Sequence, residues 1–155
     1  MSVGAWNFAR AELGIVRRLE QCLQHRPGAW ARVIGTRPTL ESVTEEMQDA
    51  PAVYVIYDGF AVLESDEGSA RLAHRWFAVV TVKNTAQQRA AAPRNQEAGP
   101  YLCDVLQALH GWTPPDCVSP FVPVTPPRPY YSPAKFVYYP LAFTTESYHC
   151  ARPDI

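Results

Sequence analysis

The sequence predicts an α+β fold: a single mixed, mainly antiparallel β-sheet with two main helices packed on one face, plus a proline-rich extended arm. Two segments, near 7–25 and 99–110, place apolar residues at helical spacing. Three segments are rich in β-branched and aromatic residues and predict strands, at 52–57, 71–83 and 135–148. Helices and strands do not alternate strictly along the chain, which is typical of an α+β fold.

Chain length and composition indicate the class of protein. The 155 residues match the size of one domain, so we expect a single domain over residues 1–155. Hydrophobic residues make up 47% of the chain, an ordinary share for a globular protein. Fourteen basic and fifteen acidic residues give a net charge of −1. No overall field therefore attracts nucleic acid or an anionic membrane.

No segment predicts export or membrane insertion. The N-terminal residues lack the basic and apolar regions of a signal peptide. The longest apolar stretches fall far short of the roughly 20 residues that a spanning helix needs. The four cysteines lie far apart and form no CxxC pair. We expect a reduced protein that is made in the cytoplasm and has no membrane partner.

The first third of the chain predicts two helices and a short strand. Asn7 suits the cap of a helix that Pro27-Gly28 ends. Residues 30–34 alternate weakly and predict a short strand. Thr39 or Ser42 then begins a short helix, in which Ser42 and Glu45 have the spacing of a capping box.

The middle of the chain predicts the clearest strands and the second main helix. Asp58-Gly59 is a turn signal after the strand at 52–57, and Phe60–Glu64 indicates another short strand. Residues 84–98 are either a loop or a frayed helical piece. At the end of the helix at 99–110, Gly111 suits a left-handed turn, after which we expect Trp112 to fold back as an anchor.

Prolines interrupt the last third of the chain, so residues 113–134 predict an extended arm. Phe121–Val124 suits an edge strand, since proline is tolerated at the edges of sheets. Beyond the arm, residues 135–148 alternate. Phe136 and Tyr138 face one side of the predicted strand, and Val137 and Tyr139 face the other.

The sequence contains no motif that predicts catalysis. It has no glycine-rich phosphate loop, no GxSxG and no HExxH. His149 and Cys150 are adjacent, so on a strand they point to opposite faces and do not share a metal ion. We expect no catalytic residue, no cofactor and no metal site, and therefore no enzyme.

Aromatic and arginine side chains outside the regular core pattern favour an interaction protein. Tyr, Trp and Arg are enriched at interfaces, and proline reduces the entropy that an extended arm loses on docking. All but two of the lysines and arginines are arginines. The candidate interface residues are Trp112, Tyr130, Tyr131, Arg71, Arg75 and Arg89.

Four motifs follow one another along the chain. They are Pro51–Val55 with Tyr57 and Gly59; Arg75-Trp76 followed by Val79–Asn84; Ala98-Gly99 opening a helix that ends in Ala108–Pro114; and Tyr138–Phe143. In this order and spacing they resemble the small tail proteins of Mu-like phages and prophages of the tail terminator, or tail completion, type. The resemblance runs from the first helix to Phe143, and the proline-rich arm is an insertion relative to it.

The resemblance implies a structural virion protein. Tail terminators are similar to one another as small α+β proteins that form a hexameric ring. Such a ring caps the tail tube, stops its polymerisation and forms the head–tail joining surface. The implied partners are further copies of the chain, the tail tube protein and a head-completion or connector protein. The implied location is the head-proximal end of the tail, after assembly in the host cytoplasm.

DNA crosses the lumen of such a ring, so the resemblance also implies weak, non-specific contact with DNA in the channel. Arg71, Arg75 and Arg89 are the best candidates for this contact. The alternative is that these arginines lie on the outer surface, paired with Asp66, Glu67 or Glu97.

Two other classes of protein remain open from the sequence. One is another neck, head-completion or minor tail protein, which a stoichiometry other than a six-membered ring would favour. The distant alternative is a small hydrolase or nucleic-acid-processing enzyme, which a polar pocket with clustered titratable groups would favour.

Overall fold

One six-stranded sheet organises the chain. The computed structural model describes residues 6–44, 49–83, 92–132 and 136–152. The elements in chain order are α1 (Phe8–Leu23), β1 (Val33–Thr36), α2 (Leu40–Thr44), β2 (Ala52–Ser65), β3 (Ser69–Lys83), α3 (Ala92–Leu109), β4 (Val122–Val124), β5 (Tyr130–Tyr131) and β6 (Phe136–Cys150). The strand order is β1-β2-β3-β6-β4, and β5 also pairs with β6. Among the described strands only the β1–β2 pair is parallel, which confirms the mixed, mainly antiparallel sheet.

Helix α1 forms where its sequence predicts it. The Asn7 Oδ1 accepts hydrogen bonds from the backbone N–H groups of Ala9 at 2.9 Å and Arg10 at 3.2 Å. This cap satisfies two donors that have no partner within the helix. Buried residues recur every four positions and form the stripe that faces the sheet: Ala11, Ile15, Leu19 and Leu23.

The two faces of the sheet are buried by different elements. We call the side covered by α1 and α3 the helix face, and it holds Val53, Val55, Trp76, Ala78, Val80, Val137, Tyr139 and Phe143. We call the other side the back face, and it holds Ala52, Tyr54, Ile56, Phe77, Val79, Phe136, Tyr138 and Ala142. The back face packs against Leu40 and Val43 of α2 and Val124 of the arm. The alternation predicted for β6 is therefore confirmed, with both sets of side chains buried.

The turn expected at Asp58-Gly59 is wrong. Strand β2 continues through this site to Ser65, with a shift of register between Tyr57 and Phe60. Gly59 has a φ of 92°, so it absorbs an irregularity inside the strand. The real turn follows Ser65, where the Asp66 carboxylate accepts two backbone hydrogen bonds at 2.8 Å. The short strand expected at Phe60–Glu64 is the far half of β2.

The ends of two helices also differ from expectation. Helix α3 begins at Ala92, seven residues before the expected Gly99. Pro93 falls in its first turn, where a missing N–H breaks no intrahelical bond. In α2, the side chains of Thr39 and Ser42 each accept the other's backbone N–H at 3.2 Å. Ser42 therefore pairs with Thr39 in this cap, and Glu45 lies outside the described residues.

The proline-rich arm packs along the edge of β6. Val122 and Val124 pair with Thr144 and Ala142, which confirms the expected edge strand. Gly111 has a φ of 83°, and its N–H donates to the carbonyl of Phe121 at 2.9 Å. The Phe121 N–H in turn donates to the carbonyl of Trp112 at 2.9 Å. The left-handed turn and the folded-back Trp112 are therefore both present.

The start of the arm also packs closely on α1. A Cβ placed on Gly14 would lie 2.5 Å from the Cγ and Cδ atoms of Pro115. No real side chain fits at that distance, so the arm approaches α1 over a residue that must be glycine. The carboxylate of Asp116 extends the contact, since it accepts the Asn7 N–H at 3.3 Å.

Replacing Gly14 with alanine tests this contact. We expect Gly14→Ala to lower the free energy of unfolding by about 1–3 kcal/mol, because the added methyl group overpacks the arm against the helix. The matched control is Gly99→Ala in α3, where an added Cβ meets nothing within 4 Å. The control should be neutral or slightly stabilising, since alanine is the better helix former. Thermal and urea unfolding would measure both, and equal stability of the two variants would contradict the close approach.

Candidate assembly interface

Part of the sheet extends beyond the elements that cover it. Strand β1 pairs with β2 only as far as Val55, and β4 reaches β6 only as far as Thr144. Past these points β2, β3 and β6 continue as a three-stranded antiparallel extension. We call this extension the ribbon and define it as residues 58–75 and 145–150. It is the part of the described chain that projects beyond the core.

A buried aromatic and polar cluster holds the base of the ribbon. His74 is fully buried, and its Nδ1 lies 2.8 Å from the Tyr57 hydroxyl. Its Nε2 lies 2.6 Å from the hydroxyl of Ser147. The Trp6 ring stacks on the imidazole with a centroid distance of 4.2 Å. This His74 cluster ties the N-terminal segment to all three strands of the ribbon.

Burial keeps the His74 cluster uncharged. Desolvation lowers the pKa of His74 to about 4, because burial penalises the charged imidazolium. Burial likewise raises the pKa of Tyr57 to about 12 and that of the nearby Cys117 to about 11. All three groups are neutral at pH 7. A neutral imidazole donates through one nitrogen and accepts through the other, which suits its two hydroxyl partners.

The ribbon exposes a continuous apolar segment. Phe60, Ala61, Val62 and Leu63 follow one another in β2, and all four are exposed. The large side chains of Phe60, Val62 and Leu63 leave between 44% and 56% of their surface accessible, and Tyr148 on β6 leaves 51%. Single exposed apolar residues are ordinary, whereas a contiguous apolar run on a strand edge is typical of surfaces that associate with another chain.

Two predicted interface arginines lie on the ribbon and are neutralised within it. Arg71 forms ion pairs with Glu64 at 3.1 Å and Glu146 at 2.9 Å. Arg75 pairs with Asp58 at 3.2 Å and donates to the carbonyl of Thr125. The alternative expectation named Asp66, Glu67 or Glu97 as the partners of these arginines. For Arg71 and Arg75 those partners are wrong. Arg89 lies outside the described residues.

The three predicted aromatic interface residues occupy different places. Trp112 is half-buried, with its ring 6.2 Å from that of Phe121 and the Arg18 guanidinium 5.8 Å from its centroid. It is an internal anchor of the arm in this chain. Tyr130 and Tyr131 remain about half exposed, with Tyr130 stacked on Tyr138 at 6.0 Å. The structure brings Arg71 and Arg75 together on the ribbon, and it places these three aromatic residues elsewhere.

The sequence does not by itself predict that the apolar segment of β2 is exposed. Its signal was present, because Phe60–Leu63 is a run of four apolar residues. The false turn at Asp58-Gly59 concealed it, since that turn made the run an independent short strand of unknown environment. Its exposure depends on which strands reach the end of the sheet.

A polar depression between α1 and α3 does not support the enzyme alternative. It encloses about 260 Å³ and is lined by Arg18, Cys22, Arg26, Asp104 and Gln107, among others. The carboxylate of Asp104 accepts the indole N–H of Trp30 at 2.9 Å, and Arg18 Nε donates to the carbonyl of Ala108 at 2.9 Å. Arg18 and Asp104 are thus held in structural contacts, and the lining residues include no histidine.

The described ranges contain neither a group of side chains placed to bind a metal ion nor a helix able to span a membrane. Across residues 6–44, 49–83, 92–132 and 136–152, no group of three or more His, Cys, Asp or Glu side chains is placed to hold a metal ion. None of the helices in the part of the chain that the structure describes is both long and apolar enough to cross a membrane.

Comparison with known proteins decides the family. Residues 19–151 match the phage tail terminator protein family. The chain belongs to this family. The tail terminator family match spans every strand of the sheet, helices α2 and α3, and residues 19–23 of α1. The protein is thus a structural component of the phage tail and of the virion.

A solved structure shares the fold of this tail terminator family member. A chain from a structure described as the virion of a native gene transfer agent particle superposes with a TM-score of 0.51 at 16% sequence identity. The alignment covers 90% of this chain and 98% of the other. At this identity the likeness establishes the fold. A comparison with curated proteins found no match.

The buried, neutral His74 predicts a pH dependence of stability. Its pKa is about 4 in the folded protein and 6.5 when exposed, so between these values the unfolded chain binds a proton that the folded chain does not. We expect the free energy of unfolding to fall as the pH decreases from about 6.5 to 4, by about 3 kcal/mol in all. Urea unfolding at stepped pH measures this slope.

A pair of glutamine variants isolates the source of this slope. His74→Gln should flatten the dependence between pH 4 and 6.5, because glutamine retains hydrogen-bonding capacity without titrating. His149→Gln, at an exposed position on β6, should leave the slope as in the wild type. A slope that persists in His74→Gln would show that another group causes it.

Proposed function

We propose that this protein acts as the tail terminator of its phage or prophage. Six copies form a ring that caps the head-proximal end of the tail tube, stops its polymerisation and presents the head–tail joining surface. A head-completion or connector protein binds that surface, and assembly takes place in the host cytoplasm. The observation that carries the proposal is the family match over residues 19–151. The protein acts through these contacts and not as an enzyme.

The surface of the chain supports a ring over a symmetric dimer. A closed ring needs two different complementary patches on each subunit, whereas a two-fold dimer uses one patch twice. The described residues expose apolar side chains in several separate places, among them the β2 segment Phe60–Leu63 and the arm at Tyr130 and Tyr131, so more than one patch is available. A six-membered ring would also distinguish a tail terminator from the alternative, which is another neck or minor tail protein.

Tail assembly with and without the protein tests the proposal. We expect tube protein assembled alone to give tubes of uncontrolled length, and addition of this protein to give tubes that stop growing. Electron microscopy of such tubes should show one six-fold ring at the head-proximal end. Because a terminator can stay monomeric until it binds the tube, the mass of the protein in solution does not by itself test the proposal. Finding the protein elsewhere on the tail, or in another stoichiometry, would contradict the proposal.

We propose in addition that Arg71 and Arg75 face the channel of the ring. Their ion pairs with Glu64, Glu146 and Asp58 give that surface a mixed potential, which suits a lumen that DNA crosses without being held. The channel role of Arg89 stays a prediction, as do the interface roles of Trp112, Tyr130 and Tyr131.

Measurements of DNA binding by the assembled ring test this channel surface. We expect weak, sequence-independent binding that modest salt abolishes. If Arg75 makes one phosphate contact, Arg75→Gln should reduce the salt slope of the affinity by about 0.9 without dissolving the ring. Arg37→Gln is a control, because Arg37 stacks on Tyr54 away from the ribbon. A structure of the ring with Arg71 and Arg75 pointing away from the axis would exclude the channel role.

A further inference from the structure

The outer edge of β2 in the ribbon is unpaired. Strand β1 covers this edge only at Ala52–Val55. From Tyr57 to Ser65, no other described strand pairs with the edge, while β3 occupies the opposite side of β2. An unpaired edge presents a row of backbone donors and acceptors to another strand. The segment Phe60–Leu63 contains no lysine or proline, residues that commonly block such pairing, but its ladder with β3 shifts register between Tyr57 and Phe60 and between Val62 and Glu64.

The ribbon has a second unpaired edge, on β6. The Glu146 carbonyl accepts the Val118 N–H at 2.8 Å, and the Glu146 N–H donates to the Ser119 hydroxyl at 2.9 Å. Glu146 therefore directs its backbone groups away from β3. Antiparallel pairs alternate, so Tyr148 and Cys150 direct theirs outward as well. Beyond Glu146 no described segment is bonded to this outer edge.

The unpaired charges beside the two edges differ in sign. From Tyr57 to Glu67 the chain has four acidic residues and no basic one; Asp58 and Glu64 pair with Arg75 and Arg71, which leaves Asp66 and Glu67 at the turn. Just after β6 lies the exposed Arg152, and no acidic residue occurs from Tyr148 to Arg152. Pairing two β2 edges would bring like charges together, whereas pairing β2 with β6 brings opposite charges together. Charge thus favours a head-to-tail contact over a two-fold one.

We propose that the outer edge of β2 in one copy pairs with the outer edge of β6 in the next copy. This inference rests on the ring proposed above and names the contact that closes it. Within a copy, β2 and β6 run in the same direction, because both are antiparallel to β3. Copies related by rotation about an axis along the strands keep that direction, so the new pair is parallel. The ribbons of the ring then form one continuous sheet, with Phe60–Leu63 covered by the neighbouring copy.

Cysteine cross-linking tests the strand addition directly. Cys150 is an exposed thiol at the end of β6, and Glu64 lies on the same face of the ribbon. The test uses a Cys103→Ser background, which removes the other exposed thiol. In it, Glu64→Cys should cross-link to Cys150 of the next copy when assembled rings react with a bismaleimide long enough to bridge two paired strands that are offset by two residues. Denaturing gels should show a ladder that ends at the closed ring. Adding Cys150→Ser should abolish the ladder. A control that carries Gln21→Cys, at an exposed position of α1, in place of Glu64→Cys should give no ladder.

The outcomes separate this inference from the proposed function. Rings that form on the tube without a cross-link between position 64 and Cys150 would overturn the strand addition and leave the ring standing. Dimers that persist in the Cys150→Ser variant would indicate pairing of two β2 edges and would also overturn it. Absence of any ring on the tube would contradict the proposed function itself.

A charge placed on the edge gives a second measurement. Leu63→Lys should leave the melting temperature unchanged, because 44% of the side chain is exposed, and should weaken ring assembly about tenfold. Leu13→Lys on α1 is the matched control, with 48% of its side chain exposed. The control should assemble like the wild type. Equal assembly of the two variants would show that the β2 edge is not part of the contact.

Discussion

Strand β3 is hydrogen-bonded along both of its edges, and this double pairing fixes the position of most of the chain. Its partners β2 and β6 run beside it from the buried core at Val79–Val82 to the end of the ribbon at Ser69. A one-residue slip of β3 would exchange the residues of the helix face and the back face. Both faces are apolar in the core, but Trp76 and His74 fit only the helix face, where α1 and Trp6 meet them.

The sheet is longer than the layers that cover it, and this difference in length leaves part of its surface exposed. Helices α1 and α3 cover the core on one face, and α2 and the arm cover it on the other. Beyond that cover, β2 keeps its apolar sequence but is paired on one edge only, by β3. Hydrophobic burial contributes roughly 25 cal/mol per Å², so an exposed run such as Phe60–Leu63 favours association with another chain.

Charge has different consequences in the buried and exposed parts of the ribbon. The His74 cluster is neutral, so it adds hydrogen bonds to the core without the cost of a buried ion. The ion pairs of Arg71 and Arg75 lie near the surface, where such pairs contribute about 0–1 kcal/mol. They align β2, β3 and β6 at the ribbon and reduce the net field there.

The sequence by itself determined the fold class, the cap of α1, the edge strand of the arm and the turn at Gly111. These features depend on periodicity or on the chemistry of a few adjacent residues, such as the Asn7 cap and the glycine at positive φ. The motif order also indicated the family that the match over residues 19–151 shows.

Only the tertiary structure decided the ribbon and its surfaces. The Asp58-Gly59 pair reads locally as a turn, but the ladder with β3 extends past it as an irregularity within one long strand. The partners of Arg71 lie 7 and 75 residues away in the sequence, and register alone brings them together. Exposure of Phe60–Leu63 depends on how far β1 extends, which no local pattern encodes. The local sequence determines where helices and strands form. The relative lengths of neighbouring strands decide which residues of a strand stay unpaired and accessible to another chain.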